Sequence, residues 1–129
     1  MESLRVSTGS PYEEPIGFSR AVRRGNVIAV SGTAPIAEDG SVASPGDLHG
    51  QTTRCLEIIK TAIEKAGGGL DDVIRTRLYL TDATRWEEAG RAHGEVFGSI
   101  RPACSFVEVA RLIDTGWLVE IEADCILGS

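Results

Sequence analysis

Hydrophobic and polar positions change period several times along this chain, and each change marks an element. Residues 17–33, GFSRAVRRGNVIAVSGT, alternate on both sides of Gly25-Asn26, which predicts two strands joined by a tight turn. After the polar EDG loop at 38–40, the run Ser44-Pro45-Gly46-Asp47 predicts a helix start. Ser44 is the expected cap, Pro45 suits the first helical position, and Asp47 favours the positive end of the dipole. Thr52, Cys55, Leu56, Ile59, Ala62, Ile63 and Ala66 then recur at helical spacing as one apolar stripe. The glycines at 67–69 end it, because glycine tolerates the left-handed conformation beyond a helix.

Alternation returns in DVIRTRLYLTD, residues 72–82, with Ile74, Thr76, Leu78 and Leu80 on one face. Val73, Arg75, Arg77 and Tyr79 take the other. Thr84 and Glu87 have the spacing of a capping box, followed by a second stripe of Trp86, Ala89, Gly90, His93, Val96 and Phe97. Strands are predicted at 103–112 and 117–126. The order β-β-α-β-α-β-β predicts an α+β fold, one mixed sheet with two helices on one face, and a single domain over residues 1–129.

The sheet face away from the helices is expected to be mixed. It would carry Arg75, Arg77 and Tyr79 on one strand and Glu120, Glu122 and Asp124 on another. Unbroken alternation would add Cys104, Phe106, Glu108 and Leu112 from a third. Opposite charges on neighbouring strands can pair. Such a face is too apolar for bare solvent and too charged for a dry core, which points to a subunit interface with polar clefts.

Composition narrows the classes of function. The 129 residues are 42% hydrophobic and 25% charged, as in soluble globular domains, and no apolar run approaches the roughly 20 residues of a membrane span. The N-terminal residues have no basic-then-apolar signal pattern, and three cysteines without ligand spacing suit a reduced, cytoplasmic protein with no metal site. A net charge of −6 argues against nucleic acid as partner. The cluster Arg20, Arg23, Arg24 reads as solvated surface.

The segments NVIAVSGTAPI, RPACSFVEVARL and VEIEAD, in that order with two intervening helices, resemble the RidA (YjgF) family over residues 16–126. The resemblance implies a chorismate-mutase-like fold, a homotrimer with clefts between subunits, a small-molecule ligand and no cofactor. It also implies hydrolysis of small reactive imines or enamines to a keto acid and ammonia. A non-catalytic trimer that binds small metabolites is the alternative.

Residue by residue, the family's water-handling acid falls on Glu120 and its cleft-lining backbone on Ser31-Gly32. Its first-strand aromatic falls on Phe18, where deaminating members often have tyrosine. Its central arginine falls on Cys104, and the asparagine of some deaminating members falls on Gly90. A guanidinium holds a substrate carboxylate with two charged hydrogen bonds, each contributing about 1.5–3 kcal/mol, and a thiol cannot replace that. Arg101 and Phe106 are further binding candidates, Arg101 also reading as a surface or interface ion pair.

Three readings of Cys104 stay open: a small strand thiol, a neutral pocket wall, or a nucleophile if Arg75 or Arg77 lies close. Glu120 reads as general base or as an ion-pair partner of Arg75 or Arg77. Glu122 and Asp124 read as charge pairs, His93 as a hydrogen-bonded core histidine, and Trp86 as packing.

Overall fold

The computed structural model describes residues 3–128. In chain order the elements are β1 (Ser3–Val6), α1 (Glu13–Ile16), β2 (Ala21–Arg24), β3 (Val27–Thr33), α2 (Leu48–Lys65), β4 (Val73–Leu80), α3 (Trp86–Phe97), β5 (Ala103–Glu108) and β6 (Val119–Ile126). The strands form one six-stranded mixed sheet in the order β1-β2-β3-β6-β4-β5. Only β4 and β5 run parallel. The sheet thus has one strand more than the five expected. β1 is four residues long and pairs with β2, and so short a run carries little periodicity of its own.

The hairpin β2–β3 turns at Gly25-Asn26 as expected, with Gly25 at φ 62°, a conformation that costs glycine little. The start of α2 differs in detail. Ser44, Pro45, Gly46 and Asp47 form a turn closed by Asp47 N donating to Ser44 O (3.0 Å), with Gly46 at φ 76°. The cap is therefore Asp47, whose Oδ1 accepts from Gly50 N (2.9 Å), and Ser44 lies outside the helix. Likewise Thr84 is not the cap of the second long helix. Asp82 accepts from Thr84 N (3.0 Å) at the head of a 3₁₀ turn that feeds α3.

Every member of the α2 stripe is buried, packed on Ile28, Val30, Leu78, Ile121 and Ala123 of the sheet. The α3 stripe is buried at Ala89 and Phe97, but Trp86 is 53% exposed. Gln51 holds the approach to β6 from within the core. Its Nε2 donates to Gly116 O and its Oε1 accepts from Leu118 N. Both partners of this buried amide are thus satisfied.

Two strand assignments change face. In β4 the register with β6 shifts between Val73 and Arg75, so Val73 turns into the core and Ile74 turns out, 49% exposed. The bulge inserts one residue and reverses the alternation locally. In β5 the parallel register sets Cys104 beside Thr76 and Phe106 beside Leu78, both core residues. Cys104, Phe106 and Glu108 therefore project on the helix side of the sheet rather than the open side. Glu108 shows this directly, since its Oε1 accepts from Ala83 N at the head of α3 (2.9 Å). The strand ends at Glu108, so Leu112 belongs to the loop that follows.

Candidate functional site

β6 alternates cleanly, with Val119, Ile121, Ala123 and Cys125 buried under the helices and Glu120, Glu122 and Asp124 on the open face. The three carboxylates nevertheless have different surroundings. Arg77 of β4 pairs with Asp124 (3.2 Å) and lies 3.8 Å from Glu122. Tyr79 donates its hydroxyl to Glu122 Oε1 (2.5 Å), and this bond raises the phenol above its usual range. Glu122 and Asp124 are thus committed to structural pairs.

Glu120 stands apart. Among the described residues it takes part in no salt bridge with Arg75 or Arg77, and no protein group donates to it. Its carboxyl is raised above the usual carboxylate range chiefly by burial, with Arg20 opposing and Glu122 adding to the shift.

The backbone opposite Glu120 is irregular. The β3–β6 register shifts between Val30 and Thr33, a bulge at Ser31-Gly32. A Cβ on Gly32 would lie 2.2 Å from Glu120 Oε2, so the close approach of carboxylate and backbone requires glycine here. Arg20 secures the bulge. Its Nη1 donates to Ser31 Oγ (3.1 Å), to Gly32 O and to Thr33 Oγ1 (3.2 Å). The Ser31 hydroxyl donates in turn to Ser19 O (2.9 Å), and the Arg20 guanidinium lies 5.3 Å from the centre of the Phe18 ring.

Phe18, Ser31, Gly32 and Glu120 thus gather at one end of the protomer, with Arg20 as the piece that joins them. On the open face, Phe18 and Ser31 also line a cleft of about 380 Å³ together with Glu122 and Asp124.

Arg20 is the residue that sequence reasoning missed. Its sequence context groups it with Arg23 and Arg24 as solvated surface, yet it is only 4% exposed. Burial works against its charge, while Glu13 and Glu120 favour it. Arg23 also has a structural task, donating to Ala66 O at the end of α2 (3.0 Å). Only Arg24 keeps the surface role. Nothing in the period of residues 17–24 separates these three arginines, because their partners come from distant residues.

The remaining candidates sit elsewhere. Cys104 and Phe106 lie on β5, the edge strand, separated from β6 by β4. Each strand step is about 4.8 Å, and Cys104 is on the opposite face from Glu120, so one protomer does not bring the two together. Arg77, one of the two arginines that would activate Cys104, is turned toward the acidic row on the other face. Phe106 faces the position where a side chain on Gly90 would stand, beside Trp86. His93 is the hydrogen-bonded histidine expected, with Nε2 2.9 Å from Thr76 Oγ1 and its ring 4.7 Å from that of Phe97, and burial lowers its pKa. Arg101 is exposed at φ 56°, with its amide tied to Phe97 O (2.8 Å) and no ion pair among the described residues.

No helix among the described residues is long and apolar enough to cross a membrane, and no three His, Cys, Asp or Glu side chains among them converge as a metal-ligand group.

Comparison with known proteins is consistent with this layout. A family model described as endoribonuclease L-PSP matches residues 12–127. A RutC family protein of Pyrococcus abyssi is 39% identical over 111 residues, covering 85% of this chain and 87% of that protein. The crystal structure of a Mycobacterium tuberculosis member of the YjgF/YER057c/UK114 family superposes with a TM-score of 0.89 at 45% identity, covering 98% of this chain and all of that one. The YjgF gene product of E. coli superposes with a TM-score of 0.84 at 28% identity, over 95% of this chain and 98% of that one.

Proposed function

The chain belongs to the RidA (YjgF) family, and from that premise we propose that it is a hydrolase of small reactive imines or enamines, with Glu120 as the base that activates water. The observation that carries the reading is the state of Glu120. It is a half-buried carboxylate with a raised pKa, has no protein donor, and lies against the Gly32 backbone while its two neighbours are consumed in pairs. A carboxylate so placed can accept a proton from water and return it to a departing amine.

In the proposed reaction the water oxygen adds to the imine carbon while Glu120 takes a proton. That proton passes to nitrogen to give the carbinolamine; Glu120 then carries the hydroxyl proton to the same nitrogen, and the C–N bond breaks as ammonia leaves and the carbonyl forms. Imine and water become keto compound and ammonia, with no oxidant or reductant.

The site is proposed to be completed between subunits of a homotrimer in the cytoplasm. All six residues of β5 are exposed, and Phe106, Val107 and Trp86 give that edge 40%, 42% and 53% exposed apolar side chains. An unprotected edge with apolar side chains is a natural surface for self-association. Covering it with a second copy would supply Cys104 and Phe106 as further walls. With Cys104 where the family pattern has arginine, carboxylate-bearing imines should be held weakly. The same feature favours metabolite binding without turnover as a second reading. The net charge of −6 weighs against RNA as substrate.

The test is keto-acid release from an imine generator by wild type and Glu120→Gln, with and without a chelator. Chelator-resistant turnover that disappears in the variant supports the hydrolase. Robust turnover that survives Glu120→Gln overturns it, and saturable ligand binding without turnover favours the second reading.

A further inference from the structure

A second cleft, of about 500 Å³, lies between the loop at residues 7–11, the segment at 33–40 and the outer side of α2. Arg20 contributes to its wall, and so do Thr8, Ser10, Arg54, Thr61 and Lys65. Its volume falls in the range of small-molecule sites. Phe18 and Glu120 do not line it, and Arg20 is the residue it shares with the candidate catalytic end.

The guanidinium of Arg20 is used asymmetrically. Among the described residues all its hydrogen bonds leave from Nη1. The Nε–Nη2 edge, the side-on fork that matches two oxygens of a carboxylate or phosphate, has no protein acceptor. No buried side-chain nitrogen or oxygen among the described residues lacks a partner, so this free edge is open to solvent, where an anion can reach it, while Glu13 favours the charge of the cation. Of the carboxylates nearby, Glu38 on the wall forms no pair among the described residues, whereas Glu13 and Glu57 have partners. Glu13 Oε2 accepts from Thr8 N (3.3 Å) and Ser10 N (3.1 Å), and Glu57 pairs with Arg54 (3.5 Å). Lys65 forms no ion pair among the described residues and adds a second free cation at the rim.

The geometry points to an oxyanion site in this cleft, in which a small molecule bearing a carboxylate or phosphate group takes the free fork of Arg20, with Lys65 and the Thr8 and Thr61 hydroxyls around it. The inference does not depend on the hydrolase reading, because none of these contacts involves Glu120.

Amide chemical shifts of the full chain, titrated with sodium lactate and with inorganic phosphate against sodium chloride at equal ionic strength, test it. Saturable shifts at Thr8, Ser10 and Thr61 with lactate or phosphate, absent with chloride, are expected. Whichever saturates at lower concentration identifies the preferred oxyanion. Arg20→Lys keeps the charge but loses the fork, and should weaken binding about tenfold or more. Thr61→Trp, at an exposed position of α2, should fill the cleft and abolish the shifts while leaving the fold intact. Responses that do not saturate, that chloride reproduces, or that persist in Thr61→Trp would overturn the site.

Discussion

Around Glu120 a single chain already supplies the contacts described above. The carboxylate rests against Gly32, the Ser31-Gly32 bulge is gripped by Arg20, and the neighbouring acids are paired with Arg77 and Tyr79. At Cys104 almost nothing is completed. The thiol stands on an edge strand with all six residues exposed, on the opposite face, and Phe106 two residues on is also open to solvent. The first region is held by the hydrogen bonds of Arg20, and the second is an exposed edge. The contrast separates a carboxylate whose surroundings one chain supplies from a thiol left exposed at an edge.

The sharpest way to break the comparison is Glu120→Gln. Keto-acid release should fall by about a hundredfold or more, the scale of a lost general base. In the wild type the acid limb of activity should lie above the ordinary carboxylate range, because the base must be ionised and burial raises its pKa. The sign for stability follows from the same shift. The folded state holds the Glu120 proton more tightly than the unfolded one. Its contribution is therefore full below the unfolded pKa and lost as pH rises through the raised folded value. Glu120→Gln should then have a melting temperature at neutral pH no lower than wild type, measured by calorimetry; a large drop would show that the ionised carboxylate holds the fold together.

Val107→Asp attacks the other region. A charge on the exposed β5 edge should leave the stability of the single chain within about 0.5 kcal/mol yet dissociate the proposed trimer, as read by sedimentation. A wild type that sediments as monomer at micromolar concentration would remove the basis for an intersubunit site.

Gly32→Ala sharpens the contrast. The added methyl must push the Glu120 carboxylate aside, and misplacing a catalytic group by about 1 Å can cost about a hundredfold in rate. The clash is with the end of a flexible side chain, so the melting temperature should change little. Equal loss of activity and stability would mean that Gly32 serves only the bulge.

The smallest effect is expected from Cys104→Arg. Severalfold better turnover of carboxylate-bearing imines is expected, only partial because Phe18 still lacks a hydroxyl. No change in keto-acid release would show that this edge does not reach the substrate.

Local alternation and helical spacing were enough to read the α2 stripe, the β6 alternation, the Gly25-Asn26 turn and the hydrogen-bonded role of His93. Each depends on which side of an element is buried, and that side is written in residues close together in the chain. The resemblance to the RidA family added Glu120 and Gly32, which no periodicity would single out among three similar acids and fifteen glycines. What tertiary structure alone decided was of another kind. Bulges in β3 and β4 changed which residues face the core, and parallel pairing with β4 set Cys104 and Phe106 on the helix side. Arg20 became a buried clasp because the acceptors at 31–33 lie across the hairpin, while Arg24, four residues on, stayed at the surface. Register and hydrogen-bond partnership join residues far apart in sequence, so a side chain's neighbours, and with them its pKa and its task, are settled only when the strands come together.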